Sequence, residues 1–233
     1  MRASDKIVAE KIYLFLSALF ITSLVVSNII FQKFFYWYPI DFSLFGQPLF
    51  EISVGLLPYP ITFLITDLIS EIYGKRRANL VVVTGIFASF FSAGILLLGN
   101  ILPAVDYSPI NDMLYEKVFA LSPIAALASM IAYLIAQFVD IKIYHFWKRL
   151  TKGKMLWLRN NFSTFSSQFI DTTTVITLLC VFEVLSWDSF IGLVVSGVIF
   201  KILIAFLDTP LLYFFVHLLR KKFDLKVGEE IKI

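Results

Sequence analysis

Six apolar runs, separated by short polar connections, divide the chain. They fall at Ile12–Phe35, Leu49–Tyr73, Asn79–Gly99, Leu121–Tyr144, Phe162–Leu185 and Ser189–Leu219. A transmembrane helix needs about 20 predominantly apolar residues, so the pattern predicts an all-α integral membrane protein of six transmembrane helices. The last run is long enough to tilt or to continue past the bilayer. The first follows Arg2, Lys6 and Lys11, as a signal peptide would, but no small-residue cleavage site with a soluble domain behind it appears. It reads as span one.

Basic residues set the orientation. Arg2, Lys6 and Lys11 precede span one, and Lys75, Arg76 and Arg77 follow span two. Lys142, Lys148, Arg149, Lys152, Lys154 and Arg159 lie around the connection after span four, and Arg220, Lys221, Lys222, Lys226 and Lys232 close the chain. Only Lys33 and Lys117 belong to the opposite side, while Lys201 falls within a span. The positive-inside rule therefore predicts that the N-terminus and C-terminus are both cytoplasmic. The outer connections, Tyr36 to Pro48 and Ile101 to Pro123, carry Asp41, Asp106, Asp112 and Glu116. Residues Ile110 to Ala120 are expected to form a short amphipathic helix on the outer surface. Trp37, Trp147, Trp157 and Trp187 all sit near span ends, where interfacial anchors collect.

Composition agrees with a lipid solvent: 59% of the residues are hydrophobic and only 16% charged, against about 25% charged in soluble domains. Mean hydropathy is +0.83. Residues 1–233 then make one six-helix membrane domain, with no room for a soluble one. The single cysteine, Cys180, excludes an intrachain disulfide. No Gly-x-x-x-x-Gly-Lys-Ser/Thr, His-Glu-x-x-His, Cys-x-x-Cys or Gly-x-Ser-x-Gly motif is present. Neither a cofactor nor a metal ion is implied, and His145 and His217 read as span-end residues. The chain does not read as an enzyme, and nucleic acid is not an expected partner. Lipid is, and a homo-oligomer is open.

The informative residues are polar ones inside the spans. A charge at the bilayer centre costs about 2.5–3.5 kcal/mol on translocon scales, so such groups must pair, protonate or face water. Asp171 and Lys201 fall near the middle of spans five and six; Asp67, Asp140 and Asp208 lie in the cytoplasmic halves of spans two, four and six, with Glu71 nearer the boundary. Residues three, four or seven apart share a helix face. Asp67 with Glu71, Gln137 with Asp140, Lys201 with Asp208, and the stripe Thr164, Gln168, Asp171 and Thr172 could thus line one cavity. Packing readings stand beside this one. Lys201 and Asp171 can be a buried ion pair, Glu71 can meet Lys75 or Arg76, and Asp140 can sit at the interface near Lys142. Pro58 and Pro60 inside span two predict a bend or an unwound stretch. Gly85, Ala88, Ser89, Ser92 and Ala93 mark close helix packing. Gln137-Phe-Val-Asp140 echoes Gln168-Phe-Ile-Asp171, but the adjacent antiparallel spans do not fit a three-plus-three repeat, and chance accounts for the echo.

Two segments carry a resemblance. One is Pro60-Ile-Thr-Phe-Leu-Ile-Thr-Asp-Leu-Ile-Ser-Glu-Ile-Tyr-Gly-Lys-Arg-Arg-Ala78. The other is Trp157-Leu-Arg-Asn-Asn-Phe-Ser-Thr-Phe-Ser-Ser-Gln-Phe-Ile-Asp-Thr172, preceded by Ala136-Gln-Phe-Val-Asp140. Both resemble the queuosine precursor transporters, also called the vitamin uptake transporter family, and the likeness extends over all six spans. It implies import of cyano- or aminomethyl-deazaguanine, or of queuine, across the bacterial cytoplasmic (inner) membrane, in support of queuosine biosynthesis and tRNA modification. It also implies an architecture similar to energy-coupling-factor substrate-binding subunits, without a dedicated ATPase. A guanine-like edge suits a carboxylate, and its carbonyl suits amide or cationic donors. The expected substrate-binding set is Asp67, Glu71, Gln168, Asp171, Lys201, Asp208, Asn28 and Tyr59, with Tyr59 and Phe63 as ring partners. Pro58, Pro60, Arg159, Asn160 and Asn161 are expected in gating or structural roles, the last three capping span five or gating the exit. The alternatives are a substrate-binding subunit of an ATPase-driven vitamin or nucleobase importer and, more remotely, an intramembrane hydrolase using Asp67 and Asp171.

Overall fold

In the computed structural model the described residues are 3–231, apart from 32, 37–42, 45, 46, 49, 50, 120–122, 184 and 185. The chain runs α1 (Ala3–Ile30), β1 (Phe34–Tyr36), β2 (Ser43–Leu44), β3 (Gln47–Pro48), β4 (Glu51–Ser53), α2 (Tyr59–Ile72), α3 (Lys75–Ile101), α4 (Asp112–Phe119), α5 (Pro123–Leu150), α6 (Leu156–Val181) and α7 (Phe190–Phe223). The short strands pair antiparallel, β1 with β4 (Phe35 opposite Ile52) and β2 with β3. Trp37 and Asp41 lie outside the described residues.

Span two departs most from the expected boundaries. Its apolar run starts at Leu49, yet the helix starts at Tyr59; a strand and a 3-10 turn, Val54–Leu56, come first. Ser53 accepts from the Gly55 amide and starts the turn. Pro58 then stands at the cap of α2, with Pro60 in its first turn, where a missing amide costs no helical hydrogen bond. The prolines therefore begin the helix and do not kink it. Gly55 lets this turn sit on the end of α1, since a Cβ there would lie 2.6 Å from the Ser27 carbonyl oxygen. The helix that does carry an internal proline is α7, at Pro210. Thr209, beside it, turns its hydroxyl back to the Ala205 carbonyl at 3.0 Å.

Lys75, Arg76 and Arg77 open α3 and do not form a loop. The turn before them is made by Gly74 at φ 84°, a conformation open to glycine. The expected surface helix appears as α4. α1 lies on α3 at the small-residue cluster, where a Cβ on Gly85 would come within 2.6 Å of the buried Phe20 ring. Both described chain ends reach the same end of the bundle. Tyr73 donates to the Ala9 carbonyl at 2.8 Å, and Ile231 N–H donates to the Ile72 carbonyl at 2.7 Å. The connection after α5 joins them there, with Gly153 against Gly228. This end, which carries the Lys- and Arg-rich segments, is called the basic end below.

Burial is reversed relative to a protein in water. Leu14 and Phe15 on α1, Phe87 and Phe91 on α3, and Leu207 and Phe214 on α7 are exposed. Thr62, Thr66, Ser70, Gln137, Asp140, Ser163 and Ser167 are buried. Exposed apolar faces of this extent require lipid. Among the described residues, Ser4–Ile30, Val54–Ile72, Lys75–Ile101 and Phe190–Phe223 are long and apolar enough to cross a membrane. α5 and α6, with 28 and 26 residues, are about 40 Å long at 1.5 Å per residue.

Candidate functional site

Helical spacing brings four polar stripes to the interior. α2 presents Thr62, Thr66, Asp67, Ser70 and Glu71; α5 presents Tyr133, Gln137, Asp140, Tyr144 and Lys148; α6 presents Asn160, Ser163, Thr164, Ser167, Gln168 and Asp171, all buried. α7 completes the set with Lys201, Asp208 and Arg220. The stripes converge but do not line one cavity. They form three clusters at successive depths.

At the basic end, Glu71 is fully buried and ion-paired to Arg220. It also accepts from the Tyr144 hydroxyl at 3.0 Å and lies 3.7 Å from the Lys148 ammonium. Lys148 donates further to the Ser70 and Glu71 carbonyls, at 3.2 and 3.1 Å, and to Glu230 at 2.9 Å. The expected Glu71 contact with Lys75 or Arg76 is replaced by this set, because those two residues are exposed beyond the Gly74 turn.

One turn deeper, Asp140 is fully buried. Its Oδ1 accepts from the Ser167 hydroxyl at 3.0 Å, and its carboxyl lies within hydrogen-bonding reach of Ser163 and of Asp67. The expected neighbour Lys142 is exposed, whereas Asp140 is buried against α6 through Ser167. Gln137 donates to the Tyr133 hydroxyl at 2.7 Å. The Ser167–Asp140 bond and the Trp147–Phe162 ring contact fix the register of the α5–α6 hairpin. Gln137 is thereby level with Asp171, and Asp140 with Gln168, so the echoed motifs face one another.

Deepest, Lys201 donates to Asp171 at 2.6 Å and to the Thr172 hydroxyl at 3.0 Å. Beside this pair is a narrow cavity bounded by Phe63 and Pro60 of α2, Thr164 and Gln168 of α6, and Phe200, Lys201 and Asp208 of α7. Its free volume is about 20 Å³, room for roughly one water molecule. Gln168 Oε1 is buried with no hydrogen-bond partner among the described residues.

The expected site residues divide accordingly. Gln168, Lys201 and Asp208 line the cavity, with Asp171 behind Lys201. Asp67 lies against Asp140, and Glu71 belongs to the basic-end cluster. Asn28 is placed elsewhere: it donates to Ser89 at 3.3 Å across the α1–α3 contact. Asn160 and Asn161 do not cap α6, which starts at Leu156; both reach Thr209 of α7, at 3.5 and 3.1 Å. The side chains of Tyr59 and Arg159 lie outside the described residues. Tyr133, Tyr144, Lys148, Arg220 and Pro210 are not among the expected site residues. The first three lie on the face of Gln137 and Asp140 by spacing alone, so that signal was available.

A helical bundle with an apolar exterior, several helices able to cross a membrane and an ionisable interior is the architecture of a multi-pass membrane transporter. The family described as "Putative vitamin uptake transporter" matches residues 53–215, a span that takes in α2 and most of α7. This chain belongs to that family, in the bacterial inner membrane. A protein of Bacillus subtilis (strain 168), named "Probable queuosine precursor transporter", is 27% identical over 162 residues, which are 69% of this chain and 70% of that protein. No solved structure matches the chain.

Proposed function

We propose that this chain imports queuosine precursors, cyano- or aminomethyl-deazaguanine or queuine, through a six-span bundle whose basic end faces the cytoplasm. The observation that carries the reading is the makeup of the cavity. Asp208 makes no hydrogen bond or ion pair among the described residues, and Gln168 offers an unpartnered oxygen. Two such acceptors match the adjacent N–H groups on the edge of a guanine-like base. Lys201 supplies a donor for its carbonyl, and Phe63 and Phe200 supply apolar walls for its flat faces. An aminomethyl tail adds a cation that a carboxylate can take. A cavity of about 20 Å³ is too small for a purine-sized ring, so the helices part to admit the substrate. In this occluded form the Glu71–Arg220–Lys148 cluster closes the basic end.

The hydrolase alternative would need Asp67 and Asp171 on one water, whereas Asp67 lies against Asp140 and Asp171 is held by Lys201. The test is rescue of queuosine in the tRNA of a host lacking both its own synthesis and its own importer. The expected result is rescue by at least one supplied deazaguanine, lost in Asp208→Asn and in Gln168→Ala at equal membrane abundance. Absence of rescue by every precursor refutes the substrate assignment.

A further inference from the structure

The substrate cavity ends one helical turn short of a pair of carboxyl groups for which the proposed binding chemistry has no use. Asp67 and Asp140 are 2% and 0% exposed, on α2 and α5, and their carboxyls are in hydrogen-bonding reach of each other. Asp140 Oδ1 already accepts from Ser167. Its Oδ2 is buried without a donor from any other described residue, and this carboxyl belongs to none of the ion pairs among the described residues. Two carboxylates in contact and out of water cannot both stay ionised, so one keeps a proton and donates it to the other. That single proton supplies the donor Asp140 Oδ2 lacks. We propose that Asp67 and Asp140 are the binding site of a coupling proton, carried with the substrate. This rests on the transporter reading given above.

The surroundings favour a proton over a metal cation. No third Asp, Glu, His or Cys joins the two carboxyls among the described residues, and Ser167 already donates its proton to Asp140, so a hard cation, which takes six to eight oxygens, would find few that are uncommitted. The ionisable groups on the packed elements are otherwise committed. On α5, Tyr133 is bonded to Gln137 and Tyr144 to Glu71. On α2, Glu71 holds Arg220 of α7 and Lys148 of α5. Across α6 and α7, Asp171 holds Lys201, and Asp208 faces the cavity. α1 carries Asp5, Lys6, Glu10, Lys11 and Tyr13, and α3 carries Lys75, Arg76 and Arg77, all at the basic end.

The position supplies a route for coupling. Ser167, which holds Asp140, is the neighbour of Gln168, which lines the cavity. With the proton in place, an O–H···O bond ties α2 to α5. When it leaves, two like charges drive those helices apart. Each cycle moves one substrate and one proton inward, and nothing is oxidised or reduced.

The experiment uses the full chain in liposomes containing a trapped pH dye, with the membrane potential clamped by potassium and valinomycin. Labelled cyano-deazaguanine is the probe. The expected result is internal acidification of about one proton per substrate, with accumulation raised about tenfold by an inward gradient of one pH unit. In Asp140→Asn an amide donor stands where the shared proton was. That variant is expected to exchange labelled for unlabelled substrate within about threefold of wild type and to lose acidification by about tenfold or more. Wild-type uptake without acidification overturns the coupling proposal alone; absence of any wild-type uptake overturns the transport reading with it. A variant that acidifies like wild type, or one that elutes and melts like wild type yet exchanges nothing, also overturns the proposal. Should the variant not fold, the wild-type measurement decides.

Discussion

Replacing Lys201 by Met removes the ammonium that lies 2.6 Å from Asp171 and 3.0 Å from Thr172. Both members of the pair are close to buried, at 11% and 6% side-chain exposure, so solvent does little to compensate a lone charge. An unpaired carboxylate near the bilayer centre costs about 2.5–3.5 kcal/mol on translocon scales, and breaking a buried pair by removing one partner costs roughly 3–5 kcal/mol. Taking about 3 kcal/mol, Lys201→Met and Asp171→Leu should each lower the ratio of folded to unfolded protein by roughly a hundredfold. The double variant is a different case. Two apolar side chains of similar volume often replace a buried pair at little cost, so its stability should return close to wild type. Transport separates the two roles of the pair, because Lys201 also lines the cavity. Thermal unfolding in detergent, read from tryptophan fluorescence, measures stability, and queuosine rescue measures uptake. The double variant should be stable and inactive. Restored uptake in it would reduce the pair to helix packing, and unaltered stability in both single variants would refute the cost assigned to a lone charge.

Two further outcomes follow from the packing and the polarity of the bundle. Gly85→Leu should abolish monodisperse protein on size-exclusion chromatography, because even a Cβ at that position meets Phe20 at 2.6 Å; a normal elution profile would contradict the close α1–α3 contact. In a Cys180→Ser background, Lys152→Cys should react with an impermeant thiol reagent only when it is applied from the cytoplasmic side, and Ser108→Cys only from outside. Labelling of both from one side would refute the six-span orientation.

The amino-acid order by itself determined that this chain lives in a membrane, where its apolar segments lie and which segments share an end. It also marked the inward faces. Mean hydropathy, charge bias and spacing of three, four or seven are local properties, and α6 shows this well: Thr164, Gln168 and Asp171 fall on one buried face as their numbers predict. Tertiary structure decided the partners. Glu71 finds Arg220 across 149 residues, a choice that local spacing cannot make, and the nearby Lys75 and Arg76 lose because the Gly74 turn carries them out to solvent. Asp140 meets Asp67 because α2 and α5 pack together, and the start of α2 at Tyr59 follows from the Ser53–Gly55 turn and from Pro58 and Pro60, which have no amide N–H to give. Hydrophobicity measures how much an element gains from leaving water; it says nothing of which buried charge a given charge will face.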